Sequence, residues 1–297
     1  MSNMPESVRQ PRPDVKCWLT LYMIVNDPEI AKYICEIEDV WPFVDLEYIG
    51  KMKRQSHVES WKSHHSMEDV SLIREAVPDA HLLVRVNPLN ETSGREIDEV
   101  IARGADTIML PMFHDIDTLA RFYDLLDGRV EVLPLFETAG AIRMMPEAIE
   151  RLPIEALHIG LNDLHLDLGL TWMFECISKG HLEEAAAALR AAGTRFGIGG
   201  IAQVGKGVLN AECVLREHVR LGSNATILSR SFHGFSKTKN ELVENVDFSS
   251  EVEKLRFVFA ESSQMSPEFL EENRNEMRQK TQEIVRSMTQ SQKTKTS

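Results

Sequence analysis

Long apolar runs are missing from this 297-residue chain. None approaches the roughly 20 residues that a transmembrane helix needs. Positive charge is scarce as well: 33 Lys and Arg against 46 Asp and Glu leave a net charge of −13. An extended nucleic-acid or anionic-membrane surface needs clustered cations, so neither partner is expected. The 4 cysteines, Cys17, Cys35, Cys176 and Cys213, are scattered without metal-type spacing. They read as reduced, mostly buried thiols of a cytoplasmic protein. The start, Met1 to Pro13, lacks the apolar core of a signal peptide. No glycine-rich phosphate loop of dinucleotide or P-loop spacing occurs, and Gly197-Ile-Gly-Gly200 is too short to count as one.

What is present is a rhythm. With 43% hydrophobic and 27% charged residues, the chain suits one large soluble domain. Strand patterns cover Trp18 to Val25, Phe43 to Ile49, Leu82 to Val86, Thr107 to Leu110, Val130 to Phe136, Ala156 to Ile159, Arg195 to Ile198 and Ala225 to Leu228. Helical patterns fall between them. Asp27-Pro28 opens the first, and Met67 to Ala76 is the second. Ser93-Gly-Arg-Glu96 reads as a capping box closed at Gly104, and Asp115 caps a helix stopped at Gly128. Eight strands alternating with helices predict an α/β fold, a (β/α)8 TIM barrel, over residues 14–235. Residues 1–13 read as a disordered tail, and 236–297 as a C-terminal helical extension whose end, from Gln290, is disordered.

Two apolar runs stop at carboxylates. Val130 to Phe136 ends in Glu137, and Ala156 to Ile159 leads through Gly160-Leu-Asn to Asp163. Strand C-termini lie side by side on the functional face of a parallel barrel. Two oxygen donors there suit a hard divalent cation, Mg²⁺ or Mn²⁺. Either acid alone serves equally well as a helix cap or loop residue.

Arg85 stands in a strand of β-branched residues, where an unpaired charge is expensive to bury. Its planar fork either holds a substrate oxygen in the barrel mouth or pairs with an acid of a neighbouring strand. Asp45 and Glu47 are two apart and share a strand face, placed to orient a base or hold metal-bound water. Gly160, Leu161 and Asn162 offer backbone N–H groups to a carboxylate, or form a plain strand-to-helix turn. General-base candidates are His57, His64 and His65, in the long loop after the second strand; His158 reads as a core histidine bonded to backbone. A Schiff base stays open through Lys51, Lys53 and Lys206, which follow strand ends, but two acids with an arginine favour a metal-held enolate.

Four segments together resemble the HpcH/HpaI aldolase and citrate lyase β-subunit family. They are Val84-Arg-Val-Asn-Pro-Leu89, Gly104-Ala-Asp-Thr-Ile-Met-Leu-Pro111, Phe136-Glu-Thr-Ala-Gly140 and Gly160-Leu-Asn-Asp-Leu-His-Leu-Asp-Leu-Gly169. The resemblance runs from about Val44 to Ser231 and implies a metal-dependent carbon–carbon lyase. In that reading Glu137 and Asp163 bind the metal, which pyruvate or an acyl-CoA enolate chelates. Arg85 stabilises the enolate oxygen, and Gly160, Leu161 and Asn162 hold the carboxylate. The implied substrates are a small 2-oxo acid and an aldehyde, and the implied assembly is a homo-oligomer, a hexamer or trimer of dimers.

The family's aldolases carry Asp-x-Glu-His after the second strand. Asp45 and Glu47 match, but Tyr48 stands where the histidine belongs. The run His65-Ser-Met-Glu-Asp-Val70 resembles the family segment that begins at that histidine. His65, oriented by Asp45, is therefore the expected acid/base, with Glu47 beside the substrate. The acyl-CoA lyase branch usually carries lysine where Met112 stands, although Arg85-Val-Asn-Pro-Leu89 looks more like that branch. Two further functions stay open: a citryl- or malyl-CoA type lyase or thioesterase, and a barrel without catalysis that serves as a binding or assembly subunit.

Overall fold

The computed structural model describes residues 18–50 and 65–295. The expected N-terminal tail, the loop histidines His57 and His64, and Lys51 and Lys53 lie outside the described residues.

Each helix starts where a side chain takes up an orphan amide. Asp27 accepts from the Ile30 N–H at 2.8 Å to open α1 (Pro28–Cys35), with Pro28 in the first turn. Ser66 and Asp69 form a reciprocal capping box on α2 (Met67–Ala76). Ser93 and Glu96 do not. In α3 (Ser93–Ala102) Ser93 Oγ accepts from the Asn90 N–H at 2.9 Å, and Glu96 turns inward to Asn87. The expected capping box is therefore replaced by an Asn90 turn, because Glu96 has a buried amide to serve. Asp115 caps α4 (Ile116–Leu126), which ends with Asp127 itself in the left-handed region, one residue before Gly128. Thr138 caps α5 (Ala139–Arg151).

The strands β1 (Thr20–Ile24), β2 (Val40–Asp45), β3 (Leu83–Arg85) and β4 (Thr107–Met109) pair in parallel in chain order. On the other side of β1 come β9 (Ala225–Leu228), β8 (Arg195–Ile201), β7 (Ala156–Ile159) and β6 (Leu135–Phe136). The two ends of this sheet, β5 (Glu131–Val132) and β6, are halves of one strand separated by Leu133-Pro134. Proline lacks the amide that a continuous ladder requires. The halves still bridge the gap: Leu133 and Leu135 N–H donate to Ile108 O (3.0 Å) and Leu110 O (2.9 Å) beside β4. On the far side His158 and Gly160 N–H donate to Pro134 O (2.9 Å) and Phe136 O (3.1 Å). The sheet closes on itself as an eight-stranded parallel barrel, the expected α/β fold.

Tyr22, Phe43, Leu83, Met109, Leu133, Leu135 and Ala225 fill the barrel's inside, and a larger apolar shell joins the sheet to the helices. Between β7 and β9 come α6 (Leu161–Asp167), α7 (Glu175–Ser178), α8 (Glu183–Ala192) and α9 (Ala211–Leu221). β8 runs three residues beyond its expected end because a register shift between Gly197 and Gly200 lets it keep pairing with β9.

The chain ends in α10 (Lys239–Asn245), α11 (Phe248–Ser262) and α12 (Pro267–Lys295). The last helix is docked: Met277 is fully buried, and Asn273 Nδ2 donates to Cys213 O (3.1 Å) and Glu217 Oε1 (3.0 Å) on α9. It stays helical past Gln290, where composition alone predicts disorder. No helix among the described residues is long and apolar enough to cross a membrane.

Gly197 marks a close approach inside the barrel. A Cβ there would collide with the imidazole of His158 and stand 2.9 Å from Ala225 O. Gly94 on α3 has only Leu125 Cδ2 near, at 3.8 Å. Urea unfolding should therefore move these two positions in opposite directions: Gly197→Ala loses about 1–3 kcal/mol, whereas Gly94→Ala gains up to about 1 kcal/mol. Equal stability of Gly197→Ala and the parent would contradict the packing.

Candidate active site

Asp45 and Arg85 occupy facing register positions at the ends of β2 and β3. Arg85 Nε donates to Asp45 Oδ1 at 2.8 Å and Nη2 to Oδ2 at 2.7 Å, a bidentate fork. Glu47 Oε2 lies 3.5 Å from the same Nη2, so the two acids do share one face. The guanidinium stands 5.7 Å over the Phe43 ring. Burial works against the Arg85 charge, but Asp45, then Glu47 and Glu137, hold its pKa above the ordinary value. Of the two readings of Arg85, the pair with a neighbouring strand's acid is the observed one. It costs only part of the fork, since Nη1 makes no bond to a described residue.

His65 meets Asp45 at the main chain. Its Nδ1 accepts the Asp45 N–H at 3.0 Å, while Asp45 Oδ1 takes Arg85 and the Glu47 N–H (3.2 Å). His65 is thus held to Asp45 through the main chain, while Arg85 in the next strand bonds both carboxylate oxygens. With Nδ1 accepting, the neutral ring carries its proton on Nε2 and is set to donate there.

Glu137 follows β6 and is 3% exposed; Asp163 lies in the first turn of α6 and is 8% exposed. Glu137 Oε1 accepts the Met112 N–H at 3.1 Å. Burial and the neighbouring Asp163 charge, with Glu47 adding, push the Glu137 carboxyl up to about 8 against the pull of Arg85. A buried carboxyl raised by a second acid beside it is what a hard divalent cation would relieve, so Glu137 and Asp163 fit that group. Among the described residues no cluster of three or more His, Cys, Asp and Glu could cage a metal. A magnesium-type ion needs only one or two carboxylates and leaves its other positions to water and substrate.

Gly160 is required for a reason the spacing did not suggest. A Cβ there would lie 2.9 Å from both Cβ and Oε2 of Glu137. Its φ of −86° is ordinary, so space rather than backbone freedom selects glycine. Leu161 is buried and Asn162 exposed at the start of α6. Asp167 at the far end of that helix accepts the Ala139 N–H at 2.7 Å, which ties the two acid-bearing segments together.

Two contributors escaped the sequence reading. Asn87, 4% exposed, accepts the N–H groups of Tyr48 and Ile49 (both 3.0 Å) and donates through Nδ2 to Glu96 Oε1 at 2.7 Å. Burial pushes the Glu96 carboxyl up against these bonds. The brace steers Tyr48 outward, 71% exposed, rather than into the family histidine's place. Met112 holds its amide toward Glu137 with φ +55°, a left-handed conformation that its identity does not announce. The helix-spaced Glu96 was visible as a motif, but its partner was misassigned. His158 behaves as expected: Nε2 bonds Gly199 O at 3.0 Å, and burial lowers its pKa to about 4.

The paired acids thus stand at the carboxyl ends of β6 and β7, on the face of a closed parallel barrel where such folds carry their function. A family model described as HpcH/HpaI aldolase/citrate lyase matches residues 64–226, and the chain belongs to that family. Comparison with curated proteins gave no match. Among solved structures, an HpcH/HpaI aldolase from Desulfitobacterium hafniense DCB-2 is 13% identical, with TM-score 0.54, over 77% of this chain and 94% of that one. An HpcH/HpaI aldolase/citrate lyase family protein from Burkholderia cenocepacia J2315 is 15% identical, with TM-score 0.55, over 80% and 95%. The citrate lyase β subunit from M. tuberculosis, complexed with oxaloacetate and magnesium, is 14% identical, with TM-score 0.53, over 82% and 98%. At these identities the likeness is one of fold.

Two consequences of these charges are measurable. Arg85→Met should lose about 3–5 kcal/mol of stability, because it strands buried acids. Adding Asp45→Asn should restore at least about 1 kcal/mol of that loss; strictly additive single and double variants in urea melts would refute the pairing.

The second concerns pH, in chelator. Folded Glu137 holds its proton to about 8, against an ordinary value of 4.5. The native state thus binds more protons between those values, and its stability falls as pH rises through them. His158 (about 4) and His218 (about 3) act oppositely, losing stability as pH falls below the ordinary 6.5. Glu137→Gln should gain on the parent steadily from about pH 5 to 8; parallel melting curves would contradict the raised carboxyl.

Proposed function

We propose that this chain is a metal-dependent carbon–carbon lyase of the aldolase type, cleaving or forming a short 2-oxo-hydroxy acid. The observation that carries this reading is the buried Glu137–Asp163 pair beside Arg85, gathered from three strand ends. The donor set suits Mg²⁺ or Mn²⁺, and magnesium accompanies oxaloacetate in the M. tuberculosis relative. When bound, such a cation supplies Lewis-acid polarisation of a 2-oxo group.

The chain's own residues then divide the work. Glu137 and Asp163 would hold the cation, with Glu137 Oε1 already bonded by the Met112 amide. Arg85, braced by Asp45, offers Nη1 to the charge that develops on the 2-oxo oxygen. A donor fixed before the reaction needs no reorganisation during it. The start of α6, from Gly160 through Leu161 to Asn162, presents main-chain N–H groups to the substrate carboxylate. Glu47 stands 3.5 Å from Nη2 of Arg85. His65 delivers its Nε2 proton to the aldehyde oxygen as the new bond forms, and recovers it in cleavage.

The test is exchange of pyruvate methyl protons in D2O, read by NMR, which requires no knowledge of the aldehyde. Exchange should depend on Mg²⁺ or Mn²⁺ and fall roughly 100-fold or more in Glu137→Gln. His65→Ala should leave exchange intact while slowing cleavage of a 4-hydroxy-2-oxo acid. No exchange with either metal would sink the aldolase reading and favour a CoA-thioester lyase, tested by turnover of a malyl-CoA type substrate.

A further inference from the structure

The opposite end of the barrel contains a second cavity that the chemistry above does not use. It is ringed by the starts of the strands, has a volume of about 50 Å³ and opens to solvent. That end of this fold ordinarily serves stability, yet three hydrogen-bonding side chains there have no bond to any described residue. Tyr22 is only 5% exposed and lines the cavity with its hydroxyl unmatched. Its hydroxyl opens on the hollow, where whatever occupies that space can bond it. Asn224 and Arg195 line the same side, and neither side chain finds a partner among the described residues. The main chain of Asn224 is pinned in the sheet, its N–H donating to Phe196 O (3.0 Å) and its carbonyl accepting from Thr20 (2.9 Å). The three groups come from β1, the entry to β9, and β8, which are consecutive around the barrel.

Across the hollow, on the β4–β5 side, stands an acceptor. Thr107 Oγ1 donates to Glu131 Oε2 at 3.2 Å and lies 2.7 Å from His81 Nε2. Glu131 Oε2 also lies 3.5 Å from His81 Nε2, and Glu131 keeps 62% of its side chain exposed. Trp41 stacks on His81 at 3.9 Å and reaches to 5.3 Å from the Tyr22 ring, walling the space between. Leu133, Ala156 and Ala225 complete an apolar middle. The cavity therefore has a donor-rich, cationic end, an apolar waist and a carboxylate end.

We infer that this cavity binds a compact organic carboxylate whose far end carries a hydrogen-bond donor, as short hydroxy acids and amino acids do. The ligand carboxylate meets Arg195, Asn224 and the Tyr22 hydroxyl, and its hydroxyl or ammonium meets Glu131. A simple anion would satisfy the first wall and be repelled by the second.

The experiment is saturation-transfer NMR on the full chain in chelator, with 3-hydroxypropionate, β-alanine and propionate as probes and inorganic phosphate as competitor. The expected result is a dissociation constant on the order of 1 mM for 3-hydroxypropionate or β-alanine, weakened roughly tenfold in Tyr22→Phe and in Arg195→Met. Propionate should bind more weakly than the better probe in the parent, and the difference should vanish in Glu131→Gln. Tyr22→Phe keeps the packed ring and Arg195 is exposed, so both variants retain the fold. Glu137→Gln should bind like the parent, which separates this cavity from the catalytic end. Binding unchanged in both Tyr22→Phe and Arg195→Met, propionate as tight as the other probes, displacement by phosphate at equal concentration, or no saturation transfer would each overturn the inference.

Discussion

Three buried carboxylates act on one guanidinium at the carboxyl end of this barrel. Asp45, Glu47 and Glu137 bear on Arg85, a fourth acid, Asp163, bears on Glu137, and each of the four is less than a tenth exposed. Such a group can exist only where the surrounding fold is stiff enough to hold it, because each acid would otherwise move toward water. The stiffness comes from strand register. Asp45 and Arg85 are placed opposite each other by the β2–β3 ladder before their side chains are considered. The remaining imbalance of charge falls on Glu137, whose raised affinity for a proton is the same property that makes it a seat for a cation.

The closed sheet and the acid pair serve one another. The strand bearing Glu137 is interrupted at Pro134, shortly before the acid, yet it bonds neighbours on both sides. Gly160 leaves the room that Glu137 fills, and Asp167 reaches back to the start of the helix after Glu137.

Much of this was readable from residue order. Alternating apolar runs and glycine or aspartate stops predict the strands well, and β7 and β9 fall on Ala156–Ile159 and Ala225–Leu228 as expected. Acids at strand ends announce themselves because buried strands otherwise avoid them. What could not be read depends on distant backbone. Nothing local says that Glu96 abandons its own helix cap for Asn87, or that Met112 adopts a positive φ to point an amide at Glu137. His65 is the intermediate case: the motif marks it, but only the register of β2 against β3 decides that it meets a backbone amide. The docking of α12 was hidden for another reason, since two of its buried residues, Asn273 and Thr281, are polar and sit along a charged helix with Met277 between them.

Closure of the barrel also fixes an order of events during synthesis. β1 pairs with β9, Thr20 against Ala225, so this strand leaves the ribosome long before its second neighbour is made. Arg256 on α11 then clasps the carbonyls of Glu38 and Leu19, the latter a contact across 237 positions. Until those late segments emerge, Thr20–Ile24 is a nascent edge of apolar backbone, open to pairing with any other chain. The nascent polypeptide is thus most exposed to aggregation while it already carries every acid of the catalytic end.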